Sequence, residues 1–581
     1  MARAFGNQRR HILAAVLSAL LLAACGGGGG SNADPSTLPP LGPGESEYAD
    51  PQAYSTLGNA SLAGAVEAAA VTRHSLTLGG TAIAYTARAG HLIAREPASG
   101  AAEASVFYVA YTADGADAAT RPVTFFYNGG PGSASVWLHL GSFGPRRLAT
   151  GVPATTATTP FPLVDNSESL LDTTDLVFID AVGTGLSQAI APYTNASFWG
   201  VDADAALFRD FVVRWLAAQQ RGGSPKFLYG ESYGGPRSAV LARLLQAGGV
   251  MLAGVVLQSP ALDYNSNCGA SGSGSCQANL PTYAAAGAWY GLSRPVPPDI
   301  DAYMVALRSY AATTYAPAVA AYLQGTPPPP ALPLQLADYT GIGAARWTQQ
   351  FNFPPGAFQA DLLAGTLTGR YDARMSAAVG SALAAEGDPS STFITPSFAA
   401  AIGPYLAHTL RYVNASTYVL ASKAIEQWNF GHAGQALPDT VPDLAAALAQ
   451  NPALRVLALG GYHDLATPFH VTELDLARLG AQPNVQQRNY PGGHMSYLTD
   501  ATRVRQKADL AAFYAGAAPA QAAGTLRAPL AVAPAPLPLP LPDRAGTPPT
   551  TPQRALTEPA LQTPLRDPWV PQAAWRPPTQ R

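Results

Sequence analysis

The stretch "KFLYGESYGGPRSAVLARLLQ", Lys226 to Gln246, decides how the chain is read. An apolar run enters Gly230, a lone Ser232 stands between two glycines, and an amphipathic helical pattern leaves. "GESYG", Gly230 to Gly234, is the one Gly-x-Ser-x-Gly in the chain. A strand before, a helix after and small residues between make a corner tight enough to lift a serine oxygen above a sheet. The helix then aims its first amides at any negative charge that develops there. The plainer alternative is an ordinary strand-to-helix turn with a capping serine.

Working outward, the segments before the corner carry strand signals. "HSLTLGGTAIAYTARAGHLIA", "SVFYVAYTA" and "VTFFYNGG" alternate or run in β-branched and aromatic residues. "DLVFIDAVGTG" is an apolar strand opening into a glycine loop. In "ADAALFRDFVVRWLAAQ", Leu207, Phe211 and Trp215 recur every four residues, as do Phe208, Val212 and Leu216, which predicts a helix capped by Asp202. "GVVLQSP", "LRVLALGG" and "VQQRNYPGG" read as further strands. Strands alternating with helices predict an α/β fold with a mainly parallel sheet. The Ala-rich, mostly helical segment from about 280 to 435 breaks the rhythm and reads as an insertion over that sheet.

The ends are of another kind. Arg3, Arg9 and Arg10 precede the apolar run Ile12 to Leu22, too short to span ~30 Å of hydrocarbon. "LAAC", Leu22 to Cys25, followed by glycines, resembles a bacterial lipoprotein box, which implies removal of residues 1–24 and lipid on Cys25. Residues 25–70 read as a flexible anchor linker, 71–516 as globular, and the Pro/Ala-rich stretch 517–581 as a tail without packed structure. Such a chain is expected outside the cytoplasm, held at a membrane by its lipid, with plain secretion as the alternative. Of 3 cysteines, Cys268 and Cys276 remain after Cys25. A disulfide is the default for an exported pair; two free thiols or half a metal site are the alternatives.

Net charge is -3 and charged residues make up 12%. That gives no basic patch for a nucleic acid. No cluster has zinc spacing, so neither metal nor cofactor is expected. "GTGLSQ" has Gln188 where a dinucleotide loop needs its third glycine. "HVTE", His470 to Glu473, reads as a solvated helix face rather than a ligand pair.

A serine nucleophile needs a base and the base needs an orienting carboxylate. On α/β-hydrolase scaffolds the chain order is Ser, then acid, then His. Asp464 follows "LALGG" and His494 follows "NYPGG", both at predicted strand ends. His463 and His470 compete as base, but they share a segment with Asp464 and do not fit that order.

"FFYNGGPGSASVWLHLGSFGP" (Phe125 to Pro145), "VFIDAVGTGLS", "GESYGG", "GGYHDLATPF" and "GGHM" together resemble the serine carboxypeptidase family in order and setting. The resemblance implies an α/β-hydrolase fold with a helical cap and removal of single residues from peptide C-termini. It implies Ser232 as nucleophile, His494 as base, Asp464 as its orienter, and the amides of Gly130 and Tyr233 as an oxyanion hole. Asn128, Gly129 and Glu231 would hold the substrate's terminal carboxylate. Ser133 stands where the family has cysteine. Ser142, in "SFGP", stands where the family has a glutamate of the carboxylate subsite. Two other functions remain open at this stage. One is an esterase or acyltransferase on the same scaffold; the other is a non-catalytic peptide-binding lipoprotein.

Overall fold

In the computed structural model, residues 38, 40–268 and 274–516 are described. The leader, Cys25, most of the linker and the 517–581 tail lie outside them. Leu38 and Pro40 belong to a separate unit, 1–40; every element below lies in the unit from Leu41 onward.

The alternating patterns become a 10-stranded sheet. Its strands are β1 (Ala68–Leu78), β2 (Thr81–Arg95), β3 (Ala102–Ala113), β4 (Val123–Tyr127), β5 (Asp175–Ile179), β6 (Lys226–Glu231), β7 (Gly254–Gln258), β8 (Arg455–Gly461) and β9 (Val485–Tyr490). A further short strand, Gln188–Ala189, pairs with β3. The order across the sheet is β9-β8-β7-β6-β4-β5-β3-β2-β1. From β5 to β9 all pairings are parallel, and β1, β2 and β3 join antiparallel. Gly79 and Gly80 turn β1 into β2 with φ of +55° and +83°, a left-handed path that side chains resist. This is the α/β-hydrolase architecture, a mostly parallel sheet with helices on both faces.

The parallel strands β4 to β7 are buried along their whole length, as a sheet covered on both faces requires. Helix α2 (Val201–Ala218) packs Leu207, Phe208, Phe211, Val212, Trp215 and Leu216 on one face. Burying each such side chain contributes roughly 1.5–3 kcal/mol. Its cap is Gly200, not Asp202 as predicted. Asp202 sits inside the first turn, and its carboxylate pairs with His432 at 2.8 Å. A negative group there complements the helix dipole, while a tertiary partner takes the side chain.

The ordered fold begins earlier than the sequence predicts. Tyr48–Asp50 pairs in parallel with Tyr412–Asn414, and Asp50 accepts hydrogen bonds from Tyr54 and Tyr412. A partner more than three hundred residues away leaves no local signature, so residues 48–70 read as linker by composition alone.

Between β7 and β8 the chain builds helices including Leu280–Trp289, Ile300–Tyr310, Ala331–Thr340 and Pro389–Pro404, with one small hairpin, Thr366–Thr368 and Ser376–Ala378. This insertion has a core of its own around Tyr283, Trp347, Phe351, Phe353 and Phe358. Cys268 and Cys276 are bridged, with Cα atoms 4.9 Å apart, just before it. Among the described residues no helix is long and apolar enough to cross a membrane.

Candidate active site

β6 runs into the serine corner, and α3 (Gly234–Ala247) leaves it. Ser232 has φ +63°, strained for a residue with a Cβ and held by its surroundings. Its amide donates to Gln258 O at 3.0 Å, and its carbonyl accepts from Gly235 N at 2.8 Å. A Cβ on Gly230 would stand 2.2 Å from Gly234 O, so the corner closes only with glycine there.

The loop after β4 meets this corner backbone to backbone. A Cβ on Gly129 would lie 2.3 Å from Tyr233 N, and Gly130 has φ +102°. Neither the Gly130 nor the Tyr233 amide donates to a backbone acceptor outside regular elements among the described residues. Amides left without such acceptors near a serine are of the kind that can donate to an oxyanion. Helix α1 (Val136–Gly141) follows the loop.

Arg237 locks the arrangement. It is fully buried, pairs with Asp204 of α2 at 2.6 Å, and donates to Asn128 O at 2.5 Å. Its guanidinium lies 4.4 Å from the Phe208 ring centre. Removing one member of such a buried pair costs about 3–5 kcal/mol.

Asp464 and His494 leave the ends of β8 and β9. His494 Nδ1 meets Asp464 Oδ2 at 2.8 Å, which keeps the proton on Nδ1 and leaves Nε2 as the basic nitrogen. Asp464 is fully buried. Its Oδ1 accepts from the amides of Ala466 and Thr467, and its Oδ2 accepts from Thr467 Oγ1 at 2.7 Å. Thr467 Oγ1 also lies 3.0 Å from His494 Nδ1 and 2.9 Å from Ser259 O. Burial pulls the His494 pKa down, but attraction and hydrogen bonding to Asp464, with Glu231 adding, outweigh it and raise the value. Gln258 joins the halves: its carbonyl holds the Ser232 amide and its Nε2 donates to His494 O at 3.2 Å.

The insertion supplies a strap. Tyr371 O accepts from His494 N at 2.6 Å, and the two rings lie 5.0 Å apart. A second cap segment is pinned to the glycine loop, where Ala134 N donates to Leu420 O and Ser422 N to Gly132 O. Trp428 Nε1 reaches the Tyr233 hydroxyl at 3.1 Å.

Glu231 is buried beside the serine. Its Oε1 accepts from Asn128 Nδ2 at 2.7 Å, and Asn128 Oδ1 accepts from Leu138 N at 3.0 Å. Burial pushes the Glu231 pKa up to about 7, opposed chiefly by His494. Ser142 is fully buried, but its hydroxyl donates back to Leu138 O at 2.6 Å, so it is spent within its own helix turn. The structure therefore brings together Ser232, Asp464, His494, Gly129, Gly130, Tyr233, Asn128 and Glu231, and bonds the Ser142 hydroxyl to the carbonyl of Leu138, whose amide holds Asn128.

His463 is buried against Trp289, with its pKa pushed down to about 3 by burial. The "HVTE" segment is not a solvated face, as predicted. His470 pairs with Glu473 at 2.6 Å, and Glu473 also holds Arg308 of the cap. The "GTG" loop is structural too: a Cβ on Gly185 would overlap Asp180, which anchors Ser135 N and Tyr418. Sequence reasoning missed Arg237, Gln258, Thr467 and Tyr371. Thr467 alone had a local signal, a hydroxyl three residues after the acid.

The family model of serine carboxypeptidases matches residues 81–270. This region is similar to the serine carboxypeptidase family. It holds both glycine loops and Ser232, and it ends before Asp464 and His494, which rest on geometry. No curated protein matches the chain. Among solved structures, the chain is similar to a prohormone-processing carboxypeptidase, Kex1, of Saccharomyces cerevisiae: 15% identity, 74% of this chain and 91% of that one, TM-score 0.47. It is also similar to a proline iminopeptidase of Mycobacterium smegmatis (15% identity, 76% and 98% covered, TM-score 0.30). A putative aryl esterase of Burkholderia cenocepacia gives 13% identity, 77% and 98% covered, and TM-score 0.31.

Proposed function

We propose that the protein is a serine carboxypeptidase that removes C-terminal residues from peptides through an acyl-enzyme. The observation that carries this reading is a buried Asp464–His494 pair at 2.8 Å on the same scaffold as a strained, glycine-flanked Ser232. In the first step Ser232 Oγ attacks the scissile carbonyl while His494 Nε2 takes its proton. The Gly130 and Tyr233 amides hold the oxyanion, and His494 returns the proton to the leaving amine. Water, activated by the same histidine, then releases the acyl group. Asn128 and Glu231 face the terminal carboxylate; below its pKa of about 7 Glu231 is neutral and can donate to it.

An esterase or acyltransferase on this scaffold is the second reading, since the same triad serves any acyl group. A blocked dipeptide acid, its amide and a simple ester, assayed in parallel after fluorophosphonate labelling, separate the two. Labelling at Ser232 with preference for the free acid supports the carboxypeptidase; labelling with preference for the ester overturns it. We also propose that the protein is lipidated at Cys25 and membrane-held, on the strength of "LAAC" after the apolar run. Cys25→Ser should release it from membranes, and a mature N-terminus elsewhere, seen by mass spectrometry, would refute the anchor.

A further inference from the structure

A short segment of the insertion, residues 370–374, is bonded to both loops that carry the triad's acid and base. Ala373 N donates to His463 O at 2.9 Å and Leu465 N donates to Arg370 O at 3.0 Å, so the segment holds the chain on either side of Asp464. On the other loop, His494 N donates to Tyr371 O. A Cβ on Gly493 would stand 2.3 Å from Tyr371 O and 2.5 Å from Asp372 Cβ, so the glycine before the base makes room for the cap. The loops also touch directly, His463 N donating to Gly492 O at 2.8 Å.

Arg374 completes the arrangement. It is buried, and its guanidinium donates to both oxygens of Asp372, at 2.9 and 2.6 Å. Its Nη2 also donates to Thr499 Oγ1 at 2.8 Å, and its Nη1 reaches Pro491 O at 3.5 Å. Pro491 follows the last residue of β9, and Thr499 is the cap position of the helix Asp500–Ala515. The guanidinium therefore touches both ends of the loop that carries His494. Trp289 of the cap helix Leu280–Trp289 lies over it, 5.6 Å from ring centre to guanidinium carbon.

We infer that Arg374 is a positioning residue for the reaction: by gripping Asp372 and both ends of the base loop, it sets from within the cap where His494 stands relative to Asp464. This rests on the assignment of Ser232, Asp464 and His494 above, and not on which acyl group the enzyme takes. A loop between a strand and a helix shifts unless its ends are fixed, and a catalytic constellation tolerates little displacement. A planar guanidinium fixes several acceptors in one geometry, which an ammonium cannot do. Its charge is matched by Asp372, while the charges acting on His494 are those of Asp464, Glu231 and Arg370. Arg374 thus works through geometry.

The test is Arg374→Lys, which keeps the charge and loses the fork. Wild type and variant are assayed on a blocked dipeptide acid and a simple ester, with kcat expressed per serine labelled to completion by a fluorophosphonate. Misplacing the base predicts a fall of roughly 10- to 100-fold in kcat on both substrates, with the labelling rate falling alongside. KM should stay within about twofold. The comparison variant is Arg308→Ala, which unties the cap from the helix Phe469–Ala477 without touching the base loop; its kcat should stay within about twofold. Thermal midpoints accompany each variant. Should Arg374→Lys fail to fold, the double variant Asp372→Asn/Arg374→Gln, which removes both buried charges, is read by the same criteria. An unchanged kcat in the folded variant overturns the inference. So does a loss carried by KM, which would mark a substrate contact, or an equal loss in Arg308→Ala, which would mark general docking of the cap. A wild type that is not labelled at Ser232 sinks the triad and this inference with it. A labelled wild type without preference for the free acid sinks only the carboxypeptidase reading.

Discussion

Asp464 and Glu231 are both buried carboxyl groups near the ends of parallel strands, β8 and β6, yet their surroundings are opposite. Asp464 accepts from two amides, one hydroxyl and one imidazole. Glu231 accepts from one side-chain amide at Oε1 and has the Tyr497 hydroxyl as its other neighbouring donor. A full set of donors leaves Asp464 one task, to orient His494. Burial pushes Glu231 up to about 7, only partly offset by His494 and by hydrogen bonds to Tyr497 and Asn128, and leaves it able to hold a proton near neutral pH. Burial is shared; the count of donors sets the role.

The contrast breaks most severely at the histidine. His494→Ala removes the imidazole that Asp464 orients, and turnover should fall on every substrate by a factor on the order of 10⁴–10⁶. Steady-state assays on acid, amide and ester check this. Activity within tenfold of wild type would show that the Asp464 corner does not run the chemistry.

pH sharpens the comparison. His494 must be neutral to act, and its raised pKa means that activity on all substrates is lost as pH falls through a value above 6.5. Glu231 must be protonated to donate, so the free-acid advantage is present below about 7 and lost as pH rises through it. Each group faces the other, with Asp464 and Tyr497 also beside Glu231, so the two titrate as a pair. The ratio of free-acid to ester kcat/KM should drop about 30-fold between pH 6 and 8.5, as expected from one group titrating near 7 with a slope of one. Glu231→Gln should flatten that ratio. A flat ratio in wild type would mean that Glu231 does not touch the carboxylate.

The smallest effect is expected at Thr467, which ties Asp464 Oδ2, His494 Nδ1 and Ser259 O together. Thr467→Val should lower kcat by roughly three- to tenfold, equally on acid, amide and ester, the scale of one hydrogen bond. Thr467→Ser should restore it. A selective loss on the free acid would show that Thr467 acts on the carboxylate corner as well.

Much of the fold was legible in order along the chain. The β1–β2 turn, the serine corner and the two strand-end loops of Asp464 and His494 follow from short-range rules of periodicity, glycine and chain order. The misreadings share one cause. The segment 48–70, Asp202 and the "HVTE" pair were assigned from their neighbours in sequence, while their partners, Tyr412, His432 and Arg308, lie far along the chain.

The sequence by itself therefore determined the parallel sheet, the corner at Ser232 and the identity of the residues that could serve as base and acid, because each is encoded within one turn or strand. Tertiary structure alone decided how those residues are held. It placed the Tyr371 strap on His494, the Arg237–Asp204 lock behind the glycine loop, and Tyr497 beside Glu231. It also gave the Ser142 hydroxyl an acceptor in Leu138 O, one turn back in its own helix. Hydrogen bonds and burial depend on which atoms arrive from elsewhere in the chain, and no local pattern records those arrivals.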